Sequence, residues 1–328
     1  MAGGTRDAQR ADERERVRPS LTHADEVLAN ASGENFPVAL RMLPARYRQH
    51  LFALYCFARL TDDIGDQAKA GEDHAGDNHG GDNHGGDNQA GDNHAGESDG
   101  TATMRLKLLD DLEADIDRIY AGDEPLTPAL RPLAEAVRAC GIPDQPLRAL
   151  IQANRQDQLV ARYPAYEDLV RYCTLSANPV GQVVLYIFGV ATTERITLSD
   201  SICTALQLVE HWQDVAEDLG NGRIYLPQED LARFGCTEAD LAQPHANETT
   251  KQLISFEVAR ARQLLDEGAP LVGTLRGAAR LAVAGYVGGG RAALAAIEDH
   301  GYDVLAATPR PRKSTTVKEL AKAYLRGR

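Results

Sequence analysis

Residues 51–66 read LFALYCFARLTDDIGD. Leu51, Leu54, Tyr55 and Ala58 fall at i, i+3, i+4 and i+7, the spacing of one apolar face of an α-helix. That face runs directly into carboxylates. Asp62 and Asp66 are four residues apart and share a helix side, with Asp63 beside them. The same periodicity recurs outward along the chain, in Leu106, Leu109, Leu112 and Ile116, then in Leu208, Trp212, Val215 and Leu219, and again from Leu253 through Phe256. Strand-like alternation is almost absent. Glycines and prolines at Gly122, Pro128, Gly141, Pro146, Pro179, Gly222, Pro227 and Gly273 cut the chain into about ten helical segments. The pattern predicts a single all-α domain built as a helical bundle.

The 328 residues divide into a helical domain over 21–308 and two flanking segments. Residues 1–20 mix five arginines with four acids and lack periodicity, so they are expected to be a disordered tail rather than a signal peptide. Residues 309–328 carry seven basic side chains against Glu319. Their end reads as a short amphipathic helix, either solvated or in contact with a membrane surface. Inside the domain, residues 70–100 hold a five-residue repeat, Gly-Asp-Asn-His at 76–79, 81–84 and 91–94 and Gly-Asp-Asn-Gln at 86–89. Small polar residues cannot bury apolar surface, so this stretch is expected to be an inserted loop. Four of the nine histidines lie in it. A metal-binding tract is the sharper reading and a tolerated repeat expansion the plainer one, favoured because glycine spacers hold no geometry.

Composition removes several classes of function. The longest apolar run, 183–191, is nine residues including a glycine, far short of the roughly 20 residues that a spanning helix requires. The five cysteines show no metal-type pairing and are odd in number, which argues against a disulfide scaffold and for a cytoplasmic setting. Residues 71–100 hold eight acids and no bases, so the formal net charge of −13 falls to −5 without them. A mildly acidic globular part is a poor match for a nucleic-acid binder.

A second acidic run, Glu210-His211-Trp212-Gln213-Asp214-Val215-Ala216-Glu217-Asp218, places Glu210, Asp214 and Asp218 at i, i+4 and i+8. On a continuous helix these three carboxylates share one face, where like charges repel. Hard divalent cations suit such an arrangement, because Mg²⁺ takes oxygen ligands and is commonly shared with substrate phosphates. Two such clusters on facing helices could hold Mg²⁺ over a diphosphate and neutralise its charge as it leaves. Arg59 and Arg223 lie near the two clusters, and guanidinium groups bind phosphate oxygens well. Arg59 also lies within reach of a plain intrahelical ion pair, and Tyr55 of ordinary helix packing. A third segment, 172–181, carries Asn178-Pro179 and Gly181, which interrupt a helix. It reads either as a kink between core helices or as a pocket wall.

These residues together resemble the squalene/phytoene synthase family of head-to-head prenyl transferases. The resemblance rests on Tyr55-x-x-x-Arg59-x-x-Asp62-Asp63-x-x-Asp66, on Gln156-Asp157, on the run from Tyr172-Cys173 to Val180-Gly181, and on Gln213-Asp214-Val215-Ala216-Glu217-Asp218 followed by Gly222-Arg223-Ile224-Tyr225-Leu226-Pro227. It covers roughly residues 22–300. Two further stretches, Glu34-Asn35-Phe36-Pro37-Val38 and Ser176 to Gly181, resemble the bacterial hydroxysqualene synthases of the hopanoid pathway.

The resemblance implies an isoprenoid synthase-type bundle with a central cavity and a Mg²⁺-dependent enzyme with two or three ions. In that subgroup it implies ionisation of presqualene diphosphate, rearrangement of the cation and capture by water. The products are hydroxysqualene and diphosphate, and NADPH is not expected. Condensation of farnesyl diphosphate to presqualene diphosphate or squalene, or of geranylgeranyl diphosphate to phytoene, is the alternative. Pathway partners would make presqualene diphosphate and reduce hydroxysqualene. The implied metal ligands are Asp62, Asp63, Asp66, Asp214 and Asp218, with Glu210 standing where many members have Asn. Arg59, Arg223, Tyr225, Gln156, Asp157 and Gln182 are the implied substrate-binding residues. Tyr55 and Tyr172 are candidates for the reacting centre, and Asn178 or Gln182 for holding the quenching water. Leu175, Val183, Val184 and Ile187 are candidates for an apolar tunnel, and Phe36 and Phe188 for facing the cation alongside Tyr172.

Overall fold

A computed structural model describes residues 43–66 and 94–326, with the side chains of 65, 66 and 94–102 left out. The expected tail at 1–20, Phe36, and the repeat up to residue 93 lie outside the described residues. Fourteen α-helices occupy the described chain. The first four are α1 (Ala45–Asp66), α2 (His94–Ala121), α3 (Arg131–Cys140) and α4 (Asp144–Asp157). Then follow α5 (Tyr166–Ser176), α6 (Asn178–Ile187), α7 (Thr193–Gln213), α8 (Val215–Gly220), α9 (Gln228–Phe234) and α10 (Glu238–Leu241). The last four are α11 (Glu248–Gly268), α12 (Leu271–Thr274), α13 (Gly277–Asp299) and α14 (Lys313–Arg326). The surplus over ten comes from α8, α9, α10 and α12, which are too short to show a period.

Two boundaries differ from the sequence expectation. Residues 94–100 are the first turns of α2 and not the end of a loop. Once the apolar stripe at Leu109, Leu112 and Ile116 is buried, extending the helix N-terminally costs only propagation. The break between α5 and α6 falls at Ala177, and Asn178 and Pro179 open α6. Pro is well placed there, because the first turn of a helix has no partner for its missing N–H.

The core is one contiguous cluster fed by nearly every helix. The two heaviest packing pairs are α7 with α11 and α13 with α14. Helices α4, α5 and α6 pack in succession and close the bundle against α1 and α7. Close approach has specific glycine requirements. A Cβ at Gly268 would stand 2.6 Å from the Leu198 carbonyl of α7, and one at Gly288 2.4 Å from the Leu320 amide of α14. A parallel bridge pairs Arg162 with Ile224, and the Ile224 amide donates to the Ala161 carbonyl at 3.0 Å. The Gln228 amide donates to the Tyr163 carbonyl at 2.9 Å. This clasp fixes the segment after α8 against the segment after α4, and so presents Arg223 and Tyr225 to the middle of the bundle.

Candidate active site

A cavity of about 310 Å³ opens where α1, α4, α5, α7 and α8 converge. Asp62 reaches it from the end of α1, Asn154 and Asp157 from the last turns of α4, and Tyr172 and Ser176 from α5. Gln207, Glu210 and His211 come from α7, Asp214 from the α7–α8 junction, Asp218 from α8, and Arg223 and Tyr225 from the clasp. Among the described residues, five carboxylates thus face one lining arginine.

The three carboxylates of the second cluster do not lie on one straight helix. Asp214 has φ −107° and ψ 20°, which ends α7 and starts α8. The backbone nevertheless keeps four-residue bonding through the kink: the Asp214 amide donates to the Glu210 carbonyl at 3.0 Å, and the Asp218 amide to that of Asp214 at 2.8 Å. The carboxylates therefore still project into the same space. Burial pushes the Asp218 carboxyl up to about 7, reinforced by the charges of Asp214, Glu217 and Glu210 and opposed by Arg223. Burial and Glu217 likewise raise Asp214, while a hydrogen bond from Thr308 and the charge of Arg310 hold it down.

His211 sits under this cluster. Burial first, and Arg223 second, depress its imidazole to about 3, so the ring is neutral. Gln207 Nε2 lies 3.2 Å from His211 Nε2. An amide nitrogen only donates, so His211 Nε2 accepts and the ring proton resides on Nδ1. Nδ1 is 3.9 Å from Asp218 Oδ2. The Tyr225 ring stacks on the imidazole, 3.6 Å between centroids and 11° from parallel. On the α4 side, the Tyr172 hydroxyl donates to Asp157 Oδ2 at 2.8 Å, and Arg223 Nη2 donates to the Asp157 carbonyl at 3.2 Å. Burial and the Asp157 charge hold the Tyr172 hydroxyl well above the usual phenol range, so it remains protonated. Asn154 Nδ2 donates to Asp62 Oδ1 at 3.2 Å and fixes that carboxylate from the opposite wall.

The donor set fits a hard divalent cation. It consists of carboxylate oxygens, and like charges raise the cost of leaving them without a counter-ion. Among the described residues no three His, Cys, Asp or Glu side chains converge on one point. The carboxylates instead line facing walls, the arrangement in which Mg²⁺ takes its remaining ligands from water and from a phosphate.

Of the residues marked by the sequence, the cavity gathers Asp62, Asp157, Tyr172, Glu210, Asp214, Asp218, Arg223 and Tyr225. The other marked residues whose side chains are described lie elsewhere. Asp63 pairs with Arg59 at 2.9 Å along α1, with Arg59 exposed and Asp63 half-buried. Tyr55 and Gln156 do not line the cavity. Gln182 donates to Asp200 at 3.0 Å, and buried Asn178 accepts from Thr204 at 2.9 Å. The side chain of Asp66 lies outside the described residues. Val183, Val184 and Ile187 are core, and Phe188 packs on Tyr47 with 4.9 Å between ring centroids. Asn154, Ser176, Gln207 and His211 line the cavity without having been marked as site residues. Two of them carry a local signal: Asn154 precedes Asp157 by three residues and Gln207 precedes Glu210 by three, so each shares a helix face with a marked carboxylate.

Comparison with known proteins places these features in one family. The family model for squalene/phytoene synthase matches residues 29–317. The hydroxysqualene synthase of Rhodopseudomonas palustris is 28% identical over 261 residues, 79% of this chain and 75% of that one. The 15-cis-phytoene synthase of Synechococcus elongatus is 29% identical over 283 residues, 83% of this chain and 82% of that one. The crystal structure of squalene synthase HpnC from Alicyclobacillus acidocaldarius superposes with a TM-score of 0.68 at 37% identity, covering 84% of this chain and 92% of that one.

Proposed function

The chain belongs to the squalene/phytoene synthase family, and from that premise we propose that it converts presqualene diphosphate and water to hydroxysqualene and diphosphate. The observation that carries the proposal is the set of facing carboxylates, Asp62 on one wall and Glu210, Asp214 and Asp218 on the other, with Arg223 beside them. Such a cavity is built to hold a diphosphate through divalent cations and to release it. The choice of product is supported by the likeness to the Rhodopseudomonas hydroxysqualene synthase and the HpnC structure.

In this reading Asp62, Glu210, Asp214 and Asp218 would hold Mg²⁺, which when bound would neutralise the charge that collects on the departing diphosphate. Asn154 keeps Asp62 aimed into the cavity. Arg223 binds diphosphate oxygens, and its bond to the Asp157 carbonyl orients it for that task. Tyr172 brings an aromatic ring to the cavity wall, and such rings stabilise a carbocation electrostatically, while the Tyr225 ring is stacked on His211. Gln207 fixes His211 with its proton on Nδ1, and the neutral ring adds no charge that would repel a cation. Water captures the cation at carbon and loses a proton, so the sum of the steps is hydrolysis without a reductant. Asp66 is proposed as a further Mg²⁺ ligand one turn after Asp62, and Asp63, Arg59, Tyr55, Gln156, Gln182 and Asn178 have secondary roles in this proposal, as supports of the helices that carry the site.

The test is product identification by gas chromatography–mass spectrometry with purified protein and Mg²⁺. Presqualene diphosphate, farnesyl diphosphate and geranylgeranyl diphosphate are supplied separately, each with and without NADPH. Hydroxysqualene from the first substrate without NADPH is the expected result. Formation of presqualene diphosphate, squalene or, from geranylgeranyl diphosphate, phytoene would retain the metal site and overturn the assigned reaction.

A further inference from the structure

The C-terminal helix α14 is bound along one side and bare along the other. Its inner side is seated on α13. Leu320 lies against Gly288, Ala323 is buried, and Arg280 donates to the Tyr324 carbonyl at 2.6 Å while stacking on the Tyr324 ring. The outer side carries Val317, Ala321 and Leu325, spaced four residues apart and all exposed. Val317 is 67% exposed and Leu325 59%, rare values for large apolar side chains in this structure. Exposed Lys313, Lys318 and Arg326 flank this stripe, and among the described residues none of the three has an ion-pair partner.

We propose that α14 docks on the surface of an anionic lipid bilayer, with Val317 and Leu325 entering the acyl boundary and Lys313, Lys318 and Arg326 reaching the headgroups. Charge argues for this occupant. Residues 309–328 hold seven bases and one acid in a chain whose net charge is −13. Composition argues against a protein partner, because the cores of protein interfaces are depleted in lysine, whereas interfacial membrane helices are rich in it and let its stem lie along apolar surface. Position gives the contact a use. The segment leading into α14 touches the carboxylate cluster: Gln213 donates to the Pro309 carbonyl, and Thr308 hydrogen-bonds Asp214. A helix docked on lipid would hold the cavity next to the phase in which hydrocarbon chains dissolve. The inference does not depend on which prenyl diphosphate the cavity takes.

Co-sedimentation of the full chain with phosphatidylcholine vesicles, with and without phosphatidylglycerol, tests it. Binding to the anionic vesicles alone, weakened by salt, is expected. Each charge removed should lower partitioning roughly fivefold, so K313Q/K318Q loses about twentyfold. V317S/L325S should lose about tenfold or more. Both variants should keep the far-UV circular dichroism and the turnover of detergent-dispersed substrate of the parent. Absence of binding, equal binding to neutral vesicles, or unchanged binding by both variants would overturn the proposal. So would self-association without vesicles that V317S/L325S abolishes, because the face would then be a contact between copies.

Discussion

The Tyr225 ring lies flat on the His211 imidazole, 3.6 Å between centroids and 11° from parallel, with His211 Nδ1 3.9 Å from Asp218 Oδ2. The stack locks a neutral histidine beneath the acidic cluster. Replacing His211 by Phe keeps the aromatic face and removes the ring nitrogens. At 3.9 Å from Asp218 the ring nitrogen is beyond direct hydrogen-bond reach, so what H211F loses is the Gln207 bond, worth about 1 kcal/mol, and kcat should fall by about fivefold while thermal stability stays near the parent's. Steady-state kinetics beside thermal denaturation checks this.

Adjacent aspartates on α1 should behave unequally. Asp62 lines the cavity and accepts from Asn154, whereas Asp63 pairs with Arg59 at the surface. D62N should lower kcat by about a hundredfold or more, the scale of losing a charge that stabilises a leaving group. D63N and R59A should stay within about threefold, since an exposed pair contributes about 1 kcal/mol or less. Equal losses at 62 and 63 would show that both carboxylates serve the site.

Crowding of Glu210, Asp214 and Asp218 should limit stability when no divalent cation is present. D218N removes one of the repelling charges. Its melting temperature in chelator should exceed the parent's, and the stabilisation that Mg²⁺ gives the parent should shrink in the variant. Melting curves with chelator and with Mg²⁺ distinguish this from a simple packing defect, which would lower both.

A buried carboxyl away from the cavity should shape the pH dependence of folding. Glu257 is wholly buried on α11 and shares Arg260 with Asp230 of α9, at 3.3 and 2.6 Å. Burial, only partly offset by Arg260, raises its carboxyl from 4.5 to about 8. Between those values the folded chain holds a proton that the unfolded chain has lost. Its contribution to stability is therefore complete below about 4.5 and is lost as pH rises to about 8. E257Q should flatten the fall in stability across that interval, as read by denaturant unfolding at several pH values.

Gly288 should be indispensable to the seating of α14. An added methyl would stand 2.4 Å from the Leu320 backbone nitrogen, which no side-chain rotation can relieve. G288A should cost about 1–3 kcal/mol and raise hydrogen exchange along 313–326. The neighbouring Gly289 meets nothing within 4 Å, so G289A should be tolerated.

The helical architecture was legible because periodicity is a local property. Leu51, Leu54, Leu109, Leu112, Ile116, Leu208, Trp212 and Leu253 are buried as their spacing requires, while Tyr55, Ala58 and Phe256 are half-buried. The carboxylates at 62, 210, 214 and 218 were legible as candidates because repelling acids fused to apolar stripes need a counter-ion, and all four line one cavity. The helix break at Asp214 and the short helices α8, α9, α10 and α12 carry no such period.

By itself, then, the sequence determines which residues share a face of their own helix and where acid gathers. It cannot say what packs against that face. Spacing puts Asp62 rather than Asp63 on the side of Asp66, but only the folded chain shows Asn154 of α4 donating to Asp62 while Asp63 turns to Arg59. Asn178 is polar beside a helix break, yet Thr204 of α7 occupies its side-chain oxygen in the core. His211 gains its role from Gln207, Tyr225 and Asp218, of which Tyr225 arrives through the clasp between 161–163 and 224–228. Helix faces are set by bonds four residues apart, whereas partners are set by packing between segments far apart in the chain. Only the folded structure decides the second.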